Sequence, residues 1–224
     1  MKTLILLAFA LMANVFAGEW QEKLCGDESL SYCINHYDRQ CEAQNYGACF
    51  AVGGLYLEQK QYNKAKKYFE MVCHNANSKD TFQTEMIDGS MERKIPAIVA
   101  MQFSCKTLGN YYYNGYGVRQ SYEKAFQYYK KACDLGSGFG CSDVGFAYYD
   151  GEGVKKDLNR AKDFFAKSCE LEYGLGCIML GAFYHDGIGV KQNLSKAKEI
   201  YGKACDLGDQ DGCDKYKKLK EEGY

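Results

Sequence analysis

The chain has 224 residues, a formal net charge of −1, one proline, one tryptophan, 20 tyrosines and 12 cysteines. A charge so close to zero leaves no basic footprint for nucleic acid or anionic lipid, which excludes both as expected partners. Scarce proline with abundant tyrosine, alanine and lysine suits an all-α chain better than a β-sandwich.

The first element is an export address. Residues 1–17 carry Lys2, an unbroken apolar stretch from Leu4 to Met12, and Val15 and Ala17 ahead of Gly18. The apolar run is shorter than the roughly 20 residues of a spanning helix, so it reads as a signal peptide cleaved after Ala17. No cysteine stands at the new terminus to carry a lipid, and nothing later is apolar enough to cross a bilayer. The expected location is secreted or periplasmic, without a membrane span. In such a compartment an even set of regularly spaced cysteines is a disulfide framework.

Self-comparison gives the architecture. Cys133, Cys169 and Cys205 lie 36 residues apart, and Cys105, Cys141, Cys177 and Cys213 repeat the same step. A period of this size means stacked helix pairs. The expected divisions are a partial repeat at 18–45, a repeat at 46–101 with a long loop at 75–95, full repeats at 102–137, 138–173 and 174–209, and a capping helix within 210–224. Inside a unit Cys105, Leu108, Gly109 and Tyr112 share one helix face, reproduced by Cys141, Val144, Gly145 and Tyr148 and by Cys177, Leu180, Gly181 and Tyr184. Glycine there costs helix propensity, so its recurrence predicts a close approach. The glycines of GYGV, GEGV and GIGV then turn the chain back. Ser121, Asp157 and Asn193 stand as N-caps of the second helix. That helix places small Ala125, Ala161 and Ala197 at contacts and Tyr129, Phe165 and Tyr201 between layers.

The pattern LG-x-x-Y, then G-x-G-V, then a lysine–alanine pair, resembles the Sel1-like repeat family. LGNYYYNGYGV, VGFAYYDGEGV and LGAFYHDGIGV carry the likeness, with lysine–alanine pairs at 124–125 and 196–197. The unit from Tyr46 lacks the glycine loop and reads like a tetratricopeptide turn. The Cys-x7-Cys joint narrows the resemblance to the Helicobacter cysteine-rich proteins. It implies an α/α solenoid stapled by disulfides, with penicillin-binding or weak β-lactamase activity. The residues themselves do not carry that activity. Serine β-lactamases combine S-x-x-K with S-D-N and K-T-G, whereas here Ser121–Lys124 and Ser195–Lys198 match only the first.

Five cysteine pairs are eight residues apart: Cys25–Cys33, Cys41–Cys49, Cys133–Cys141, Cys169–Cys177 and Cys205–Cys213. Cys73 and Cys105 remain, read as the same joint interrupted. Each bridge then ties the end of one second helix to the start of the next first helix. The scattered His36, His74 and His185 do not suit a metal site, and no Cys-x-x-Cys suggests redox chemistry. Neither metal nor cofactor is expected.

A competing function is binding. The face of each first helix away from its repeated positions varies between units: Lys106, Thr107, Asn110 and Tyr113, then Ser142, Asp143, Phe146 and Tyr149, then Ile178, Met179, Ala182 and His185. Asn110, Tyr113, Phe146, Tyr149, Met179 and His185 are the expected lining of a concave groove for a peptide, a peptidoglycan-like fragment or a host protein, bound by a monomer. Cys73 and Cys105 stand 32 positions apart where eight suffice elsewhere, an insertion of 24. Its polar part, 75–93, is expected to form a flap with Phe82, Met86 and Ile87 as contacts. Pro96 is expected to open a helix running through Ile98, Val99 and Gln102.

Overall fold

The computed structural model describes residues 24, 25, 28–76, 81–85 and 92–224, the stretches 81–85 and 92–94 as backbone alone. The expected signal peptide and the expected contacts Met86 and Ile87 lie outside the described residues. The chain divides into two compact units, Met1–Gln120 and Ser121–Tyr224.

The first unit holds α1 (Leu30–Glu42), α2 (Tyr46–Glu58), α3 (Tyr62–Asn75), β1 (Thr81–Glu85), β2 (Glu92–Pro96) and α4 (Ala97–Asn114). The α2–α3 pair turns without glycine, Lys60 taking the left-handed conformation at φ 57°. Where a flap was expected, β1 pairs antiparallel with β2, from Thr81 opposite Pro96 to Glu85 opposite Glu92. Pro96 closes the second strand and caps α4, which contains Ile98, Val99 and Gln102. Proline suits both jobs, since it needs no ladder donor at a strand's end and tolerates a helix start. The core joins Phe50, Phe69 and Phe103, whose ring centroids lie 5.5–6.3 Å apart.

The second unit holds α5 (Tyr122–Asp134), α6 (Gly138–Asp150), α7 (Leu158–Glu170), α8 (Gly174–Asp186), α9 (Leu194–Asp206) and α10 (Gln210–Glu221). Consecutive helices pack together, and α8 also touches α6 and α10. Second helices begin where their caps stand. Ser121 accepts from the amide of Lys124, Asp157 from Asn159 and Arg160, and Asn193 from Lys196. Each such bond stabilises the helix start by about 1 kcal/mol. First helices end on a left-handed glycine, Gly151 or Gly187.

The recurrent glycine of the first helix meets an aromatic ring of the second. A Cβ on Gly145 would stand 2.7–3.0 Å from the ring of Phe165, and one on Gly181 2.5–3.1 Å from that of Tyr201. Both rings are buried. The second glycine of the loop lies closer still to backbone: a Cβ on Gly153 would clash with the Tyr122 carbonyl group and stand 2.7 Å from the amide nitrogen of Glu123.

Six disulfides join Cys25 to Cys33, Cys41 to Cys49, Cys73 to Cys105, Cys133 to Cys141, Cys169 to Cys177 and Cys205 to Cys213, with Cα separations of 4.4–5.5 Å. At four of the eight-residue joints the residue three after the first cysteine is left-handed: Gln44, Gly136, Glu172 and Gly208. The joint is therefore a short rigid turn: helix end, one left-handed residue, an N-cap, then the next helix.

Candidate functional site

Helix α6 turns Cys141, Val144, Gly145 and Tyr148 into the core. Its other flank carries Phe146 and Tyr149, both half-buried. The Phe146 ring meets Phe165 edge-on at 5.1 Å, and Tyr149 meets Phe183 at 5.9 Å. The ammonium of Lys156 stands 5.4 Å over the Tyr149 ring. Phe165 and Phe183 are 0 % exposed, so each half-buried ring rests its inner edge on a fixed core residue.

Met179 and His185 lie half-buried on the neighbouring α8. His185 pairs through Nδ1 with Asp186 and lies 6.5 Å from the Tyr201 ring. Burial, then the nearby Asp186 and Asp211, pushes the Tyr201 hydroxyl up to about 12. Asn110, half-buried, and Tyr113, 38 % exposed, belong to α4 in the first unit. The Tyr113 carbonyl there accepts a 2.7 Å bond from Gln120 Nε2. The six residues expected to share a groove are thus divided between the two units, and the second unit by itself contributes Phe146, Tyr149, Met179 and His185.

The variable face is narrower than the helical spacing predicts. Thr107, Ser142 and Ile178 are buried, whereas Leu180 and Tyr184, expected inside, are half-buried against the last core cluster. A first helix touches its own second helix, the preceding second helix and its neighbouring first helices, so its buried arc exceeds one stripe. Arg160 covers the outer side of Tyr148, its Nη1 donating to the hydroxyl at 3.0 Å, and Lys196 stands 4.4 Å over the Tyr184 ring. These cations shield tyrosines that fold packing leaves partly open.

Each S-x-x-K match has a member occupied with structural work, Ser121 in one and Lys198 in the other. Ser121 Oγ accepts the Lys124 amide and donates to Glu123 Oε2 at 3.0 Å. Lys198 donates through Nζ to the carbonyl oxygen of Tyr224. Neither pair resembles a serine poised against a free basic amine. All twelve cysteines are bridged, and among the described residues no group of three His, Cys, Asp or Glu could hold a metal ion.

The sequence reading passed over another surface. Leu171, Leu175, Leu207 and Phe139 are among the exposed large apolar residues, and all lie at the joints. The signal was present as a leucine following an acidic residue at 134–135, 170–171 and 206–207. Each recurs with the repeat, and periodicity alone does not distinguish a leucine that the fold buries from one that it leaves exposed.

The profile of the Sel1 repeat matches residues 43–76, 105–137, 139–173 and 174–209. No curated protein matches the chain. Among solved structures, a Sel1 repeat protein from Oxalobacter formigenes superposes with a TM-score of 0.56 at 22% identity, over 72% of this chain and 56% of its own. A protective antigen of uropathogenic Escherichia coli with an SLR fold gives 0.53 at 20% identity, over 95% of this chain and 49% of that one. Cysteine-rich protein B of Helicobacter pylori is 36% identical over 52% of this chain and 86% of its own, with a TM-score of 0.45. The chain thus spans about half the length of two of these proteins. Six disulfides suit an oxidising compartment, and no described helix is long and apolar enough to cross a membrane. With four matched segments covering more than half its length, the chain belongs to the Sel1 repeat family.

Proposed function

We propose that this is an exported, disulfide-stapled Sel1 repeat protein that binds a peptidic ligand on the first-helix face of its second unit. The carrying observation is the half-buried aromatic pair on α6, whose inner edges rest on Phe165 and Phe183. Rings held this way lose little conformational entropy on binding, which favours them as contact residues. Met179 on the adjacent helix adds an adaptable apolar contact. His185 adds a polar one.

The test is a screen of the oxidised protein against random peptides and muropeptides, followed by the double variant Phe146→Ala with Tyr149→Ala. A bound peptide should lose affinity about tenfold or more in the variant, equivalent to about 1.4 kcal/mol, while the unfolding midpoint changes far less than in Tyr148→Ala. Unchanged affinity would refute the assignment. A nitrocefin arm separates the enzymatic alternative: turnover abolished by Ser121→Ala or Ser195→Ala would replace binding with β-lactam hydrolysis.

A further inference from the structure

The three joints of the second unit stack along one edge. Ser168 Oγ of α7 donates to the Gly138 carbonyl at 2.7 Å. A Cβ on Gly138 would stand 2.8 Å from the Tyr173 Cβ and 3.3 Å from the Leu171 Cβ. The next step repeats it, with a Cβ on Gly174 3.2 Å from the Asp209 Cβ. Phe139 lies 5.0 Å from Tyr173 along the same line.

Two properties coincide on this edge. Phe139, Leu171, Leu175 and Leu207 are 37, 38, 36 and 37 % exposed. The joint segments 134–139, 170–175 and 206–211 also hold six carboxylates, Asp134, Glu170, Glu172, Asp206, Asp209 and Asp211, and no lysine or arginine. Lysines reach it from the helix bodies, Lys130 to Asp134 and Lys215 to Asp211, and Asp209 accepts the Asp211 and Gly212 amides as the cap of α10. Burial together with Asp143 and Asp209 pushes Tyr173 up to about 12, as an edge of negative potential would. Elsewhere in the unit both signs of charge are interspersed, so the loss of one sign follows the apolar row.

We infer that this joint edge is a second docking surface, separate from the first-helix face, for an extended peptide segment that alternates basic and apolar residues. Leucines one repeat apart give it a periodic apolar track, and the carboxylates beside them select lysine or arginine and reject an acidic chain. A neutral apolar partner would desolvate Glu170 and Asp206, beside Leu171 and Leu207, without offering them a counter-charge, which disfavours it.

The experiment uses the full oxidised chain and three labelled twelve-residue peptides, alternating Lys–Leu, Glu–Leu or Lys–Ser, read by fluorescence anisotropy at low and physiological salt. The Lys–Leu peptide should bind, and its affinity should fall as salt rises. It should also fall about tenfold in the variant Leu171→Ser with Leu207→Ser, and again in Glu170→Gln with Asp206→Asn. Circular dichroism melts of both variants should match the parent. Equal binding of Lys–Ser or Glu–Leu overturns the proposal, as does a Lys–Leu affinity indifferent to the edge variants. Loss of binding in Phe146→Ala with Tyr149→Ala, the edge intact, would transfer the peptide to the first-helix face. Sedimentation showing a dimer that the leucine variant dissociates would assign the edge to a second copy.

Discussion

Replacing Gly153 by alanine tests how the repeat loops are seated. Gly153 has φ +70°, which costs an L-residue about 1–2 kcal/mol. Its Cβ would also meet the Tyr122 carbonyl and the Glu123 amide, backbone at the start of α5 that cannot rotate aside. Overpacking of that kind adds about 1–3 kcal/mol, and the reduced freedom of the unfolded chain returns about 0.4–1 kcal/mol. The net expectation is a loss of roughly 2–4 kcal/mol. Gly208 provides the control, with φ +86° and nothing within 4 Å of its added Cβ. There only the backbone term remains, so Gly208→Ala should cost about 1 kcal/mol. Urea titration of both oxidised variants, followed by circular dichroism and by tyrosine fluorescence, measures the difference, and coincident probes establish that one transition is being read. If the two variants lose the same stability, the loop does not rest on the preceding helix as described.

Ser121→Ala removes the α5 cap and should cost about 1 kcal/mol in the same titration, with Ser121→Asp restoring most of it. Tyr148→Ala truncates a buried ring and should cost about 3–5 kcal/mol, whereas Phe146→Ala should cost less than half as much; equal losses would make Phe146 core. Tyr173 and Tyr201, each raised to about 12, stay neutral in the fold above the ordinary tyrosine value. Stability should therefore hold below pH 10 and fall between pH 10 and 12, and Tyr173→Phe with Tyr201→Phe should reduce that fall in alkaline melts. Removing the Cys73–Cys105 bridge with paired alanines should cost about 3.7 kcal/mol against about 2.6 for Cys133–Cys141, because it closes the longer loop.

The helix pairs were legible because their determinants are local. Caps at Ser121, Asp157 and Asn193, left-handed glycines at 151 and 187, and apolar residues at helical spacing each act within a few positions, and the 36-residue step copies them. Glycine at 145 and 181 was legible as a close approach, though its object is an aromatic ring of the paired helix, a fact that depends on tertiary placement. The hairpin was not legible. TFQTE and ERKIP are short and charged, and their pairing depends on an antiparallel register that no local rule supplies. Gln44 and Glu172 take the left-handed conformation where glycine would announce it, so the shared turn was visible only at Gly136 and Gly208. On the candidate site, the variable face was readable by comparing units, but its width was not, since Thr107, Ser142 and Ile178 are covered by neighbours.

The insertion explains why one joint can depart so far from the others. The fold requires the end of α3 to meet the middle of α4 at Cys73 and Cys105, whose Cα atoms lie 5.1 Å apart, and it imposes little on the chain between α3 and α4. Lengthening a closed loop costs only about 0.6 kcal/mol per doubling. The same logarithm makes the bridge across it more stabilising, because a longer unfolded loop loses more freedom when tied. An insertion at a bridged joint thus nearly compensates its own entropic cost, whereas one inside the α6–α7 loop would have no tie and would lift Gly153 from the start of α5. Extra chain in this fold should therefore accumulate between bridged cysteines, where β1 and β2 stand.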